Sequence, residues 1–264
     1  MAPTKVILDV DTGTDDAVAL MLAVLHPDLE LVAATCVGGN TPVKNVVENT
    51  LRVFDWLGET RVPVYAAHHS SPIHLPIQTD TCTSLWRRFV GCGQAIARSA
   101  PPSEDDPGQT SSIHGDHLDL PVATSAAQPG IHAVDFILNY FADPAGADTV
   151  LVATGPLSNL AMALKMRPEL ATQVKRIVIM GGGHTVCNCT PSAEFNFWQD
   201  PEAARVVVNC GADITLVPLD ATHAGGVVTL DDCKQLRALG TPAGEAAATF
   251  AERRARACEL KFSF

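Results

Sequence analysis

The sequence is short of positive charge, of aromatic rings and of long apolar runs. Its 264 residues carry 18 Lys and Arg against 29 Asp and Glu, a formal net charge of −11. So acidic a chain repels nucleic-acid backbones and anionic membranes, and neither is an expected partner. No stretch approaches the roughly 18 consecutive apolar residues that span a bilayer. The N-terminus meets Asp9 before an apolar signal core develops, so the cytoplasm is the expected compartment. Aromatic residues make up only 5%, leaving Trp86, Phe89, Phe197 and Trp198 as weak candidates for a base pocket, each better read as packing. Neither GxGxxG nor GxxxxGK[ST] occurs, which argues against dinucleotide and P-loop sites. The eight cysteines are scattered, and Cys187-Asn188-Cys189 is too tightly spaced for structural zinc. Free thiols are the expectation.

What is present is core. Hydrophobic residues make up 47% of the chain, which excludes disorder for most of it. Short β-branched runs alternate with helical periods. Strands are expected at 5–10, 31–35, 62–65, 148–153, 176–180 and 213–217. Helices are expected at 14–25, 42–57, 131–141, 157–166, 201–210, 229–239 and 242–260. Gly58 serves as a C-terminal stop. Such alternation predicts an α/β fold: one domain over 1–264, an open, mostly parallel sheet with helices on both faces. The pattern breaks between His68 and His117. A variable or mobile insertion is expected near 76–112, with a brief helical possibility at 84–98.

The informative segment is Asp9-Val10-Asp11-Thr12-Gly13-Thr14-Asp15-Asp16. Asp9 and Asp11 sit two apart at a strand end, so they can point the same way. Asp15 and Asp16 fall at a helix N-terminus, where the dipole favours negative charge. Capping or solvation accounts for any one of them. Four together repel unless a cation or hydrogen bonds offset the charge. An all-oxygen set suits calcium or magnesium. Two chemistries remain open: phosphoryl transfer to an aspartate, and activation of water beside a cation that holds substrate hydroxyls. Only six lysines are present, which argues against a phosphorylated substrate. Asn40, Thr154, Asn188, Glu194 and Asn196 follow strands or glycine turns and offer neutral or acidic groups to sugar hydroxyls.

In these segments the chain resembles the inosine-uridine preferring nucleoside hydrolase family. The resemblance rests on Ile7-Leu8-Asp9-Val10-Asp11-Thr12-Gly13-Thr14-Asp15-Asp16-Ala17, Val37-Gly38-Gly39-Asn40, Ile113-His114-Gly115 and Ala153-Thr154-Gly155-Pro156-Leu157-Ser158-Asn159. It continues through Val178-Ile179-Met180-Gly181-Gly182-Gly183, Ala193-Glu194-Phe195-Asn196-Phe197, Asp200-Pro201-Glu202 and Leu219-Asp220-Ala221-Thr222-His223. It implies a Rossmann-like fold, bound Ca2+ and hydrolysis of purine or pyrimidine ribonucleosides to ribose and free base. By resemblance, Asp11 activates water and touches the cation. Asp16 and the Thr154 carbonyl are further ligands. Asp15, Asn196 and Asn40 hold the ribose ring and its hydroxyls. Asn188 and Glu194 bind the 5′-hydroxyl side, and Met180 lies near the sugar face. Asp9 supports the loop from behind, and His114 marks the base pocket. A homodimer or homotetramer is also implied.

One departure is visible. The family's late His-Asp-Pro, whose Asp completes the calcium shell and whose His lies near the leaving base, does not occur in the 264 residues. A shortened C-terminal part is therefore expected, with weaker cation binding unless water or Asp220 compensates. Asp231 and Asp232 read as a helix cap. The alternative reading is a non-catalytic nucleoside- or ribose-binding or interaction protein.

Overall fold

The computed structural model describes residues 2–67 and 115–261. The expected insertion near 76–112 and His114 lie outside these residues. Six parallel strands form one sheet: β1 (Thr4–Val10), β2 (Leu29–Cys36), β3 (Val64–Ala66), β4 (Val150–Ala153), β5 (Arg176–Met180) and β6 (Ile214–Val217). Their order is β3-β2-β1-β4-β5-β6. The helices are α1 (Thr14–Leu25), α2 (Val43–Leu57), α3 (Ala133–Ala142), α4 (Ser158–Met166), α5 (Leu170–Gln173), α6 (Phe195–Gln199), α7 (Pro201–Val208), α8 (Leu219–Gly225), α9 (Leu230–Ala238) and α10 (Pro242–Lys261). This is a single-domain α/β fold.

The side-chain alternation of β1 explains the two layers. Val6, Leu8 and Val10 face a core shared with α1, α2 and α10. Ile7 faces the opposite core, shared with α3, α4 and α7. Ile7, Val10, Leu20 and Ile179 have no exposed surface. Burying each such side chain contributes about 1.5–3 kcal/mol. Helix α2 ends where Gly58 takes φ +67°, a left-handed turn that glycine enters without a Cβ penalty.

This topology places the site. The chain leaves β1 toward β2 on one side, and β4 leads away on the other. The reversal lies between β1 and β4, and a crevice opens beyond their carboxyl ends. Asp9 pairs with Thr35 on β2 and with Ala153 on β4. The residues just beyond, Asp11 and Thr154, therefore emerge side by side.

Candidate active site

Asp11 is 1% exposed, and the Asn40 main-chain N–H donates to its Oδ2 at 2.8 Å. Two glycines make this approach possible. A Cβ at Gly39 would lie 2.2 Å from Asp11 Oδ2, and one at Gly155 would lie 2.9 Å from Oδ1. Asp16 is buried in the first turn of α1. It accepts the Gly13 N–H at 3.0 Å and the Thr154 hydroxyl at 2.5 Å. Its second acceptor bond ties the end of β4 to the start of α1.

The electrostatics are unfavourable for a metal-free protein. Burial first, then the charge of Asp16, pushes the Asp11 carboxyl well above the ordinary carboxylate range. Burial, then Asp15, pushes Asp16 up to about 7. Asp15 itself is exposed at the mouth. No ion pair among the described residues involves Asp9, Asp11 or Asp16.

Behind this pair, Asp9 is fully buried. Its Oδ1 accepts the Thr35 hydroxyl at 2.6 Å and the Asn159 amide at 2.8 Å. Its Oδ2 has no hydrogen-bond partner. Burial outweighs both bonds and raises its carboxyl to about 7. Thr35 and Asn159 were given no role on sequence grounds. Asn159 stands inside a quoted motif, but its partner lies 150 residues earlier.

The other wall comes from β5 and α6. The Asn196 amide donates to the Thr154 carbonyl at 2.8 Å and to the Met180 carbonyl at 3.1 Å. It therefore gathers Thr154, Met180 and Asn196 at one place. Glu194 caps α6 through the N–H groups of Asn196 and Phe197 and also accepts the Gly182 N–H at 2.9 Å. Asn188 accepts the Phe195 N–H at 2.8 Å, which keeps its exposed loop near the same helix. The Phe197 ring packs against the glycine turn after β5, and Trp198 pairs with Phe195 at 6.5 Å. Trp86 and Phe89 lie outside the described residues.

Asp220 is not at the cation position. Its carboxylate is bound to the N–H groups of His184, Thr185 and Val186. Of the two groups named as possible compensation at the cation, water and Asp220, the latter has its acceptors occupied by a loop. Asp232 caps α9 with Thr229, as expected. The described cysteines are free.

Among the described residues, no group of three or more His, Cys, Asp or Glu side chains is placed to hold a metal ion. What the fold brings together is two buried carboxylates and Thr154, whose hydroxyl donates to Asp16 and whose carbonyl accepts the Asn196 amide. This all-oxygen set suits a hard divalent cation, and its uncompensated negative charge is what such a cation neutralises.

A model of the inosine-uridine preferring nucleoside hydrolase family matches residues 6–262. The chain belongs to this family. Pyrimidine-specific ribonucleoside hydrolase RihB of Escherichia coli O157:H7 is 37% identical over 248 residues, covering 93% of this chain and 68% of that protein. Among solved structures, the purine-preferring ribonucleoside hydrolase from Gardnerella vaginalis superposes with a TM-score of 0.74 at 32% identity, covering 94% of this chain and 71% of the other. The plant nucleoside hydrolase PpNRh1 superposes at 0.75 with 30% identity, covering 94% and 70%. The reaction of this nucleoside hydrolase is hydrolysis of the nucleoside N-glycosidic bond. Among the described residues, no helix is long and apolar enough to cross a membrane.

Proposed function

We propose that Asp11 is the general base of this ribonucleoside hydrolase and that Asp11, Asp16 and the Thr154 carbonyl hold Ca2+. The observation that carries the reading is the buried Asp11–Asp16 pair beside Thr154, raised in pKa and without an ion-pair partner among the described residues. When bound, calcium supplies positive charge that holds ribose hydroxyls and acidifies water.

The chain's own groups do the rest. Asp11 takes the proton from the attacking water, and the Asn40 amide fixes the carboxylate that receives it. Asp15 and Asn196 bind ribose hydroxyls, and Asn188 and Glu194 take the 5′-hydroxyl. Met180 covers the sugar face. Asn40 stands near the anomeric carbon, where positive charge develops as the bond to the base breaks. Asp9 holds the Asp11 loop from behind, with Thr35 and Asn159 fixing one of its oxygens. His114 belongs to the base side. The substrate class is purine or pyrimidine ribonucleosides, since the relatives named above include both preferences.

The test is nucleobase release from inosine and uridine, with and without chelator, on wild type and Asp11→Asn. Release that needs a divalent cation and vanishes in the variant supports the assignment. Calorimetric nucleoside binding with no base released would establish a binding protein instead. Inorganic phosphate from a nucleotide would point to the phosphatase chemistry.

A further inference from the structure

The loop from β5 to α6 carries Asn188 and ends at Glu194. Its last part is closed by its own main chain: Cys189 and Thr190 donate to the Ala193 carbonyl. Its first part has no such closure. Residues 184–186 are held instead by one side chain from another element, Asp220 in the first turn of α8.

The grip is extensive for one carboxylate. Oδ2 accepts the His184 N–H at 2.7 Å. Oδ1 accepts the N–H groups of Thr185 at 2.8 Å and Val186 at 3.1 Å, and the Thr185 hydroxyl as well. Three successive main-chain amides thus converge on one anion, the nest arrangement that favours a negative charge. Beside it, the Leu219 N–H donates to the Gly182 carbonyl at 2.9 Å. The β6–α8 junction therefore clamps the loop at two neighbouring points. His184 and Thr185 are exposed, so no apolar packing substitutes for the clamp there.

We infer that Asp220 is a positioning residue for the sugar end of the substrate. It fixes the 184–186 turn, so that Asn188 just beyond it meets the 5′-hydroxyl in one place. This rests on the reading of Asn188 given above. A carboxylate suits this place because three main-chain N–H groups, which can only donate, and the Thr185 hydroxyl all donate to it. An amide at 220 would keep one acceptor oxygen and turn its NH2 toward N–H groups. A released turn must then be ordered anew each time substrate binds, a cost that falls on binding. Displacement of a positioning group of this kind costs up to about 100-fold.

The test compares wild type, Asp220→Asn and Asp220→Glu on inosine and on 5′-deoxyinosine, in saturating calcium. The expected result for Asp220→Asn is a 10- to 100-fold loss of kcat/KM on inosine, carried mainly by KM, to order of magnitude. On 5′-deoxyinosine the variant should match wild type within about threefold, because the contact that Asp220 serves is missing from the substrate. Asp220→Glu should recover part of the inosine loss. The rise in melting temperature on adding calcium should be the same in all three proteins, and amide exchange should speed up at 184–186. An equal loss on both substrates, no loss on either, or a lost calcium response would overturn the inference. Wild type that cleaves both substrates equally well would instead overturn the reading of Asn188, which is a separate arm of the experiment.

Discussion

Replacing Asp11 by asparagine should make the metal-free protein more stable while removing its chemistry. Asparagine keeps the volume and retains an oxygen for the Asn40 N–H. It removes one of two buried carboxylates that repel each other. Two unit charges about 4 Å apart repel by about 4 kcal/mol at an effective dielectric near 20. Relaxation of the site and partial protonation reduce the recoverable part to about 1–2 kcal/mol. For a chain of this size that raises the melting temperature by about 2–8 °C. The pH dependence fixes the sign. Both carboxyls titrate above their unfolded values, so the folded protein binds more protons than the unfolded chain between about pH 4 and 7. Metal-free wild type therefore loses stability as pH rises through that window, and the advantage of the variant should grow as pH rises from 5 to 8. The assay is thermal unfolding in chelator across pH 5–8, with base release measured in calcium. Activity should fall by about 1,000-fold or more for loss of a general base. A variant that melts below wild type at pH 8 in chelator, or whose advantage grows as pH falls, would refute the electrostatic argument.

Three further perturbations probe neighbouring elements. Asn159→Ala removes donors to Asp9 Oδ1 and to the Cys36 carbonyl, in a buried place; it should cost about 2–3 kcal/mol in urea unfolding, and a cost under about 0.5 would show that Asp9 needs no such partner. Gly39→Ala would place a methyl 2.2 Å from Asp11 Oδ2, so base release should drop about 100-fold, and an unchanged kcat would mean the Asp11 loop is not held there. Asp55 accepts from Thr124 and Ser125; burial pulls its carboxyl up, but bonds from Ser125 and Thr124 win and hold it down at about 2. Its contribution is therefore full above about pH 4 and lost as pH falls through 2, and because the site is largely solvated, Asp55→Ala should cost only about 0.5–1 kcal/mol at pH 7. The gap between the two urea midpoints should close by pH 2, and a constant gap would exclude the carboxylate as its source.

Helix α1 and strand β5 fall at their expected limits, and the other expected strands and helices among the described residues agree within about three residues at either end. The reason is that a buried parallel strand is a β-branched run and an amphipathic helix has a period, both visible locally. Helices α5, α6 and α8 were not expected, because four, five and seven residues are too few to display a period. What starts α6 is Glu194, whose carboxylate also binds Gly182, a contact that no window of sequence reveals. The crowding of carboxylates at 9–16 was legible, since like charges in eight residues demand an explanation. The division of labour among them was not. Asp9 is set apart from Asp11 by Thr35 and Asn159, which reach it from β2 and α4. Asp220 read as a spare ligand because the loop it holds lies 34–36 residues earlier in the chain.

The site is a deficit that the rest of the fold must offset. Three carboxyls stand buried at the end of β1, each with its protonated form favoured, and Asp9 keeps one oxygen without a partner. An unmet hydrogen bond alone costs about 1–3 kcal/mol, and each raised carboxyl adds a further penalty at neutral pH. Fully buried side chains such as Leu151, Leu157 and Ile179, at about 1.5–3 kcal/mol each, offset part of this. These three residues pack in the same layer that β1 shares with β4 and β5, so the core is dense where the polar pocket is most costly. A cation bound at Asp11 and Asp16, as proposed, would remove the penalty at its source and would act as a folding ligand as well. On this argument, chelation should lower the melting temperature of wild type and leave that of Asp11→Asn nearly unmoved.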